Sequence, residues 1–288
     1  DRTVDLRVSI LPTMFGESCV MRILDRSGTS LNLEELGMRT SDLETIQSLI
    51  HKPNGVVLVT GPTGSGKTTT LYSCLNSINS VDVKIITTED PVEYDLAGIM
   101  QCEINKEIGL DFPMALRSIV RQDPDVILVG EMRDLETIGA AITAAETGHL
   151  VFGTLHTTGA TRTMDRIIDA FPTTQQAQVR SQLAVSIVGI ISQALCPKVG
   201  GGRVACHEVL IRKEGLSNMI REGAISKITS MIEIGRQDGM QLMDQGLMKL
   251  FKAGTITGEE AFMKAFNKKT FEQFRETGVW KDEEDDEE

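Results

Sequence analysis

Hydrophobic segments of two kinds alternate with polar connectors along the chain. Residues 4–13 (VDLRVSILPT) and 17–25 (ESCVMRILD) are rich in β-branched and aliphatic residues. Only MFG separates them, so this region predicts a β-hairpin that looks like the last hairpin of a sheet. Between residues 33 and 50 the apolar positions recur at roughly helical spacing, which predicts a helix within that span.

The central part of the chain carries four short segments that are largely apolar and that alternate with stretches of helical character. Continuous apolar strands alternating with helices are typical of a parallel sheet with helices on both faces. We therefore predict an α/β core at about residues 31–194, one further strand at 200–211, and amphipathic helices to about residue 274. The four segments are GVVLVT (55–60), VKIITTED (83–90), DVILVGE (125–131) and HLVFGTLH (149–156).

Composition and charge indicate a globular protein and weigh against one class of partner. Of the 288 residues, 41% are hydrophobic and 24% are charged, and the net charge is −12. Residues 282–288 (DEEDDEE) supply seven of the 41 acids, and we expect this run to be a solvated, disordered tail. The remaining 34 acids and 29 bases create no large positive field, so binding to nucleic acid is not expected.

The cysteines and the apolar runs weigh against two further classes of protein. Five cysteines, with no C-x-x-C pair, predict neither a disulfide framework nor a zinc ribbon and fit a reducing compartment. The longest apolar run, LAVSIVGIIS at 183–192, has about half of the roughly 20 residues that a membrane span requires. No signal peptide is visible, and the start at Asp1, directly in a strand-like segment, predicts that upstream residues of a domain are absent.

The most specific motif is GPTGSGKT at residues 61–68, which fits the P-loop pattern G-x-x-x-x-G-K-[ST]. It follows the predicted strand VVLVT and precedes the helical TTLYSCLN, as the motif requires. We expect backbone N–H groups and the helix N-terminus to hold phosphates, Lys67 to reach the β and γ phosphates, and Thr68 to bind Mg²⁺. The predicted nucleotide-binding residues are Gly61, Pro62, Thr63, Gly64, Ser65, Gly66, Lys67, Thr68 and Thr69.

An acid at the end of a buried strand indicates hydrolysis of the bound nucleotide. Glu131 closes DVILVGE, and a carboxylate beside the P-loop suits activation or orientation of the attacking water. Many P-loop enzymes carry an aspartate just before this glutamate, but here the position is Gly130. We therefore expect Mg²⁺ to rely on Thr68, phosphates, water and, directly or through water, Glu131. A solvated acid at a strand end is the alternative.

Three more acids lie within TTEDPVEY (87–94), at the end of the second predicted strand. Glu89, Asp90 and Glu93 lie within five residues of one another. Beside a triphosphate, clustered carboxylates fit a metal or water site. They fit a polar turn fixed by Pro91 equally well.

Two of the four histidines, His149 and His156, bracket one apolar strand. Seven residues of extended chain separate them by about 20 Å, so they cannot share a metal ion. Because ligands gather at the carboxyl ends of parallel strands, His156 is a candidate sensor of the γ-phosphate. A hydrogen-bonded structural histidine is the alternative, and it is favoured for His149, which begins the strand.

These motifs, in this order, resemble the secretion ATPase family, the motors of type II secretion and type IV pili. The resemblance extends to about residue 274 and rests on Walker A (GPTGSGKTTTL), an aspartate box (TTEDPVEY), Walker B (RQDPDVILVGEMRD) and a histidine box (TAAETGHLVFGTLHTT). It implies that Glu131 is the catalytic glutamate and that Glu89 belongs to the Mg²⁺ and water site. It also implies that His149 and His156 both act in the histidine box, and that Gly130 is the family's form.

The resemblance further implies a RecA-like P-loop fold, a homo-hexameric ring, and ATP and Mg²⁺ as ligands. The first hairpin looks like the end of a PAS-like domain whose arginines, here Arg7 and Arg22, reach nucleotide phosphates in the ring. From the residues alone, each arginine fits a solvated strand face. The implied partner is a polytopic inner-membrane platform protein, with the ring peripheral to that membrane on its cytoplasmic side. The implied plan is the end of a PAS-like domain (1–26), a linker (27–33), the RecA-like core (34–195), a mainly helical C-terminal part (196–275) and a disordered acidic tail (276–288).

The direction of work is less clearly marked in the sequence. Segments before Glu131 resemble pilus-extension and type II secretion ATPases, whereas MRDLETI, VGGGRVACHE and LSNMIREG resemble retraction ATPases. Assembly members commonly carry a four-cysteine zinc insert near the position of Cys196. Here Cys196 and Cys206 stand alone, so we expect no zinc and favour a retraction-like motor. The alternatives are an extension or secretion assembly ATPase, a RecA-like nucleic-acid motor, and a module that binds ATP with little turnover.

Overall fold

An antiparallel hairpin precedes an α/β unit in the computed structural model, which describes residues 5–24, 31–276 and 278–279. The predicted acidic run at 282–288 and residues 27–30 of the predicted linker lie outside these ranges.

The hairpin consists of β1 (Asp5–Thr13) and β2 (Gly16–Leu24), as predicted. Gly16 adopts φ 120° where the turn closes, a conformation that glycine tolerates and other residues rarely adopt. The register places Arg7 directly opposite Arg22. Like charges at such a cross-strand pair repel, so the hairpin concentrates positive charge at this position.

The α/β unit is built on a seven-stranded sheet. Its strands are β3 (Gly55–Thr60), β4 (Ile85–Glu89), β5 (Met100–Glu103), β6 (Val126–Val129), β7 (Leu150–Leu155), β8 (Ile187–Pro197) and β9 (Arg203–Ile211). Their order across the sheet is β5-β4-β6-β7-β3-β8-β9, and every neighbouring pair is parallel except β8 with β9. The predicted α/β class with a mainly parallel sheet is confirmed.

Helices cover both faces of this sheet and extend beyond it at the C-terminal side. They are α1 (Thr40–Ile50), α2 (Lys67–Ile78), α3 (Phe112–Ile119), α4 (Leu135–Glu146), α5 (Ala160–Asp169), α6 (Thr173–Ser186), α7 (Glu214–Glu222), α8 (Ile228–Ile234), α9 (Met243–Lys252), α10 (Gly258–Lys264) and α11 (Lys268–Phe271). None of the helices in the described ranges is long and apolar enough to span a lipid bilayer.

The central strand β3 shows why the sheet needs cover on both sides. Val56 and Leu58 pack in one hydrophobic cluster with residues of α3 to α8, whereas Val57 and Val59 pack in a second cluster with α1 and α2. Successive side chains of a strand point to opposite faces, so a strand that is apolar at every position must be buried on both. This arrangement holds the carboxyl end of β3, where the P-loop begins, between two hydrophobic clusters.

The sheet continues past the predicted boundary between the core and the C-terminal part. β8 runs from Ile187 to Pro197, so the boundary at 195/196 falls inside a strand, and the predicted strand at 200–211 is β9, its antiparallel partner. The apolar run at 183–192 is shared between the last turn of α6 and the start of β8. A third hydrophobic cluster, which contains Cys196 and Cys206, joins β8 and β9 to α9, α10 and α11.

Candidate functional site

The P-loop (residues 61–68) leaves the end of β3 and enters the first turn of α2. Gly61, Gly64 and Gly66 have φ values of 143°, 79° and 87°, in the region that favours glycine. A Cβ atom at Gly61 would lie 2.3 Å from the carbonyl oxygen of Gln193. The glycines therefore allow both the backbone turn and the close packing of the loop on β8.

The ammonium of Lys67 lies within this loop. Its Nζ donates to the carbonyl oxygens of Gly61 at 2.8 Å and Pro62 at 3.1 Å. Burial lowers the pKa of Lys67, and the nearby Glu131 carboxylate opposes this shift by raising it. A partly buried ammonium group at this position suits binding of an anionic ligand.

Glu131 follows β6 and faces the carboxyl end of β7. Its Oε1 lies 3.1 Å from Nε2 of His156, and the same oxygen forms an ion pair with Arg133. The Glu131 side chain is only 18% exposed, while His156 is about half exposed. Thr68 and Glu131 line one pocket at the N-terminal end of α2. Through its contact with Glu131, His156 lies beside this pocket, so the structure brings together the P-loop, the acid at the end of β6 and one of the two predicted histidines.

Gly130 has a steric reason to be glycine. Its N–H donates to the Thr88 carbonyl at 2.8 Å, and a Cβ atom at this position would lie 2.9 Å from the same oxygen and 3.2 Å from Cα of Glu89. An aspartate just before Glu131 would therefore push β6 away from β4. The missing acid is a consequence of close strand packing.

Glu89 ends β4 and is almost fully buried. Its carboxylate accepts hydrogen bonds from the Tyr72 hydroxyl, from Thr87 Oγ1 at 2.5 Å and from Gln101 Nε2 at 3.2 Å. These three donors hold the Glu89 carboxylate in a fixed orientation. Burial raises the pKa of the Tyr72 hydroxyl, and the neighbouring Glu89 carboxylate raises it further. Glu89 also lines the pocket of Thr68 and Glu131.

Asp90 and Glu93 line that same pocket, so the acidic segment is both a turn and a wall of the site. Glu93 also lies 3.6 Å from Arg7 of the hairpin. Arg22 is exposed on β2, opposite Arg7.

The structure does not bring His149 to this pocket. His149 directly precedes β7, at the opposite end from His156, and its Nδ1 lies 2.8 Å from the carbonyl oxygen of Ala144. Within this chain His149 therefore closes the end of α4 on β7. Its catalytic role stays a prediction.

The residues of the P-loop and the adjoining pocket fit a nucleoside triphosphate with Mg²⁺. The Ser65 hydroxyl is buried in the loop and has no hydrogen-bond partner among the described residues. In the same part of the chain, no three His, Cys, Asp or Glu side chains come together as ligands of a metal ion. Thr68 and Glu131 would hold Mg²⁺ together with phosphate oxygens, and the ion would neutralise part of the phosphate charge.

Two side chains that contact the predicted site residues are identified only by tertiary contacts. Tyr72 on α2 reaches Glu89 at the end of β4, and Gln193 on β8 donates to the carbonyl of Ser65 in the P-loop. Both lie among apolar residues at ordinary core positions. No spacing in the sequence marks them.

Comparisons with known proteins identify the family and the fold. The family model described as "Type II/IV secretion system protein" matches residues 1–279. The chain is 48% identical over 267 residues to a twitching motility protein of Neisseria gonorrhoeae (91% of this chain, 70% of that protein). It is 50% identical over 240 residues to the type IV pilus retraction ATPase PilT of Pseudomonas aeruginosa (82% and 68%). The crystal structure of the pilus retraction motor PilT with bound ADP superimposes with a TM-score of 0.81 at 42% identity, covering 93% of this chain and 76% of that one.

Proposed function

Because the chain belongs to the type II/IV secretion system protein family, and is a motor ATPase of a pilus or secretion system with a RecA-like fold, we propose that it hydrolyses ATP to drive pilus retraction. The observation that carries the proposal is the contact between Glu131 and His156 beside the P-loop. A phosphate cradle alone explains binding. An acid that lines this pocket and is oriented by a histidine explains turnover.

The proposed roles follow from the position of each group. The P-loop backbone and Lys67 hold the phosphates of ATP. Glu131 accepts a proton from the attacking water, and His156 orients that carboxylate and responds to the γ-phosphate. Glu89, held by its three donors, orders water at the wall of the pocket.

The proposal extends to a ring of six copies with shared sites. Arg7 and Arg22 lie opposite each other on a hairpin that forms its own small sheet. Two arginines opposite each other in the strand register place positive charge on this hairpin, which suits a phosphate supplied by another subunit. An arginine donated by a neighbour would couple hydrolysis in one subunit to movement of the next.

Work on a pilus requires a partner in the membrane. We propose that the ring binds the cytoplasmic part of a polytopic platform protein and lies at the face of the inner membrane without entering it. No nucleic acid is involved, in keeping with the net charge of −12.

Retraction is favoured over assembly by the β8–β9 connection and by the named relatives. Five residues (198–202) join the two strands, and Cys196 and Cys206 are buried in the third hydrophobic cluster. Burial raises the pKa of the Cys196 thiol to about 12, which opposes the thiolate form that binds zinc. The relatives named for retraction or twitching are 50% and 48% identical.

Two experiments test the function. Purified protein should hydrolyse ATP in the presence of Mg²⁺, and Lys67→Ala should abolish this activity. A parent protein that forms rings but releases no phosphate would contradict the proposal. Deleting the gene from its host should leave surface pili that extend and no longer shorten. Loss of the pili would instead indicate an assembly motor.

A further inference from the structure

We propose that Gln193 of β8 is a positioning residue that orients the P-loop for the nucleotide. This inference rests on the proposed function, because it assigns a role within the nucleotide site. Gln193 lies outside the four sequence motifs. Its hydrogen-bond partner Ser65 in the P-loop is more than 120 residues away in the sequence. It comes to the loop through the pairing of β3 with β8.

The side-chain amide of Gln193 joins two points of the P-loop region. Nε2 donates to the carbonyl oxygen of Ser65 at 2.5 Å, and Oε1 accepts from the Thr70 hydroxyl at 2.8 Å. The residue is only 3% exposed. Because a carbonyl can only accept, the NH₂ group must face Ser65 and the amide orientation is fixed.

The hydrogen bond that sets the orientation of the Ser65 carbonyl also sets the orientation of the Gly66 N–H group. The carbonyl of Ser65 and the N–H of Gly66 belong to one planar trans peptide unit, in which they point in opposite directions. The bond to Gln193 therefore aims the Gly66 N–H away from β8. In a P-loop the N–H groups that bind phosphate must point into the loop, so this bond sets the orientation that the ligand requires.

Packing against Gln193 also explains two of the loop glycines. A Cβ atom at Gly61 would meet the carbonyl oxygen of Gln193 at 2.3 Å, and one at Gly66 would meet its Nε2 at 2.8 Å. The bond to Thr70 ties the same amide to the first turn of α2. One side chain thus holds the loop and the helix that follows it in a single arrangement.

If Gln193 positions the loop, changing its amide to a carboxylate of the same shape should alter nucleotide affinity with pH in protein that stays folded. Ionised glutamate cannot donate to the Ser65 carbonyl and would place two oxygens against each other. Protonated glutamate can donate again, and burial raises the pKa of such a carboxyl group. Nucleotide affinity of Gln193→Glu should therefore be weak at high pH and recover as the pH falls.

The experiment measures binding of a fluorescent ADP analogue with Mg²⁺ to parent, Gln193→Glu and Gln193→Leu proteins at about pH 8 and about pH 5.5. Relative to the parent at the same pH, we expect Gln193→Glu to bind about tenfold more weakly at the higher pH and within about threefold at the lower pH. Gln193→Leu, which cannot donate at any pH, should bind weakly at both.

The matched control is Gln176→Glu, because the Gln176 amide also donates to a backbone carbonyl, that of Phe171, away from the P-loop. It should keep the parental affinity at both pH values. Parental affinity of Gln193→Glu at both pH values would overturn the inference. So would a loss of affinity at about pH 8 that unfolding accounts for, shown by a melting temperature of Gln193→Glu near the assay temperature at that pH. A parent that binds the ADP analogue without hydrolysing ATP would contradict the proposed function and leave this binding test intact.

Discussion

Nε2 of His156 lies 3.1 Å from Oε1 of Glu131. The contact joins the carboxyl ends of β7 and β6, two neighbouring parallel strands whose register is continuous from Val126–Leu150 to Val129–Gly153. Residues 25 positions apart in sequence thus meet because the sheet aligns the ends of their strands. The proposed catalytic groups directly follow two buried strands of the central sheet.

Replacing His156 should impair turnover more than binding. His156→Ala leaves the P-loop intact but removes the group that orients Glu131, so we expect kcat to fall about 100-fold with KM for ATP within about twofold. Steady-state phosphate release measures both. His51→Ala, at an exposed histidine after α1, is the control and should retain parental kinetics. A His156→Ala protein with parental kcat would remove the histidine from the mechanism.

Replacing Glu131 should separate binding from hydrolysis. Glu131→Gln keeps the shape of the side chain but cannot accept a proton from water, so we expect kcat to fall by about 10³-fold while nucleotide still binds. Phosphate release and binding of a fluorescent ADP analogue are the two measurements. Glu136→Gln, at an exposed acid in the first turn of α4, should change neither. Loss of binding together with turnover would argue for a role of Glu131 in holding the nucleotide.

Adding a single methyl group at Gly130 should disturb the sheet. Its Cβ would lie 2.9 Å from the Thr88 carbonyl, so we expect Gly130→Ala to lower the free energy of unfolding by about 1–3 kcal/mol and to reduce kcat. Urea unfolding gives the first quantity. Gly139→Ala is the control, since its Cβ would meet the Phe171 ring at an ordinary 3.8 Å and alanine favours a helix. Equal stability of the two variants would refute the steric explanation.

The buried thiol of Cys74 should make the protein less stable at alkaline pH. Burial raises its pKa from 9.0 to about 12. Between these values the unfolded chain loses the proton and the folded chain keeps it, so folding stability falls as the pH rises.

Cys74→Ala should reduce this loss by up to ~1.4 kcal/mol per pH unit above pH 9. Urea unfolding under reducing conditions at several pH values measures the slope, and any cavity cost of the substitution is the same at each pH. Cys19→Ala removes an exposed thiol and serves as the comparison. If both variants lose stability with pH as steeply as the parent, the buried thiol is not responsible.

Mixed rings should reveal a shared site. Lys67→Ala and Arg22→Ala proteins are each expected to be nearly inactive, the first without its phosphate-binding cation and the second without the arginine for its neighbour. Co-expressed in one ring, they should recover hydrolysis, because an intact P-loop can then lie beside an intact arginine. Verified mixed rings that stay inactive would mean that Arg22 acts within its own subunit or that every site must be intact.

Periodicity predicted the interior of the sheet and failed where a segment lacks a distinct pattern. β3, β4, β6 and β7 are buried on both faces, so continuous apolar runs identify them. β8 was not predicted, because only Ser186 separates the apolar residues at the end of α6 from the start of β8 at Ile187. β5, with the sequence MQCE, is half exposed at the edge of the sheet and carries too few apolar residues to stand out.

The sequence could predict those site residues that belong to a motif or lie at the carboxyl end of a strand. Lys67, Glu131 and His156 could be found because a motif or the carboxyl end of a strand marks them. Tyr72 and Gln193 could not, since each gains its role from a partner brought close only by folding. The catalytic role of His149 was predicted from family resemblance alone. Its position at the opposite end of β7 from His156 follows from the length of the strand.

Lys67 donates to the carbonyls of Gly61 and Pro62. An ammonium group has three N–H donors, so these two bonds leave one donor for a phosphate oxygen. The two carbonyls therefore set the position of the charged end of a long, flexible side chain within the loop. A phosphate that meets a cation held in this way has less side-chain entropy to overcome than one that meets a freely moving lysine.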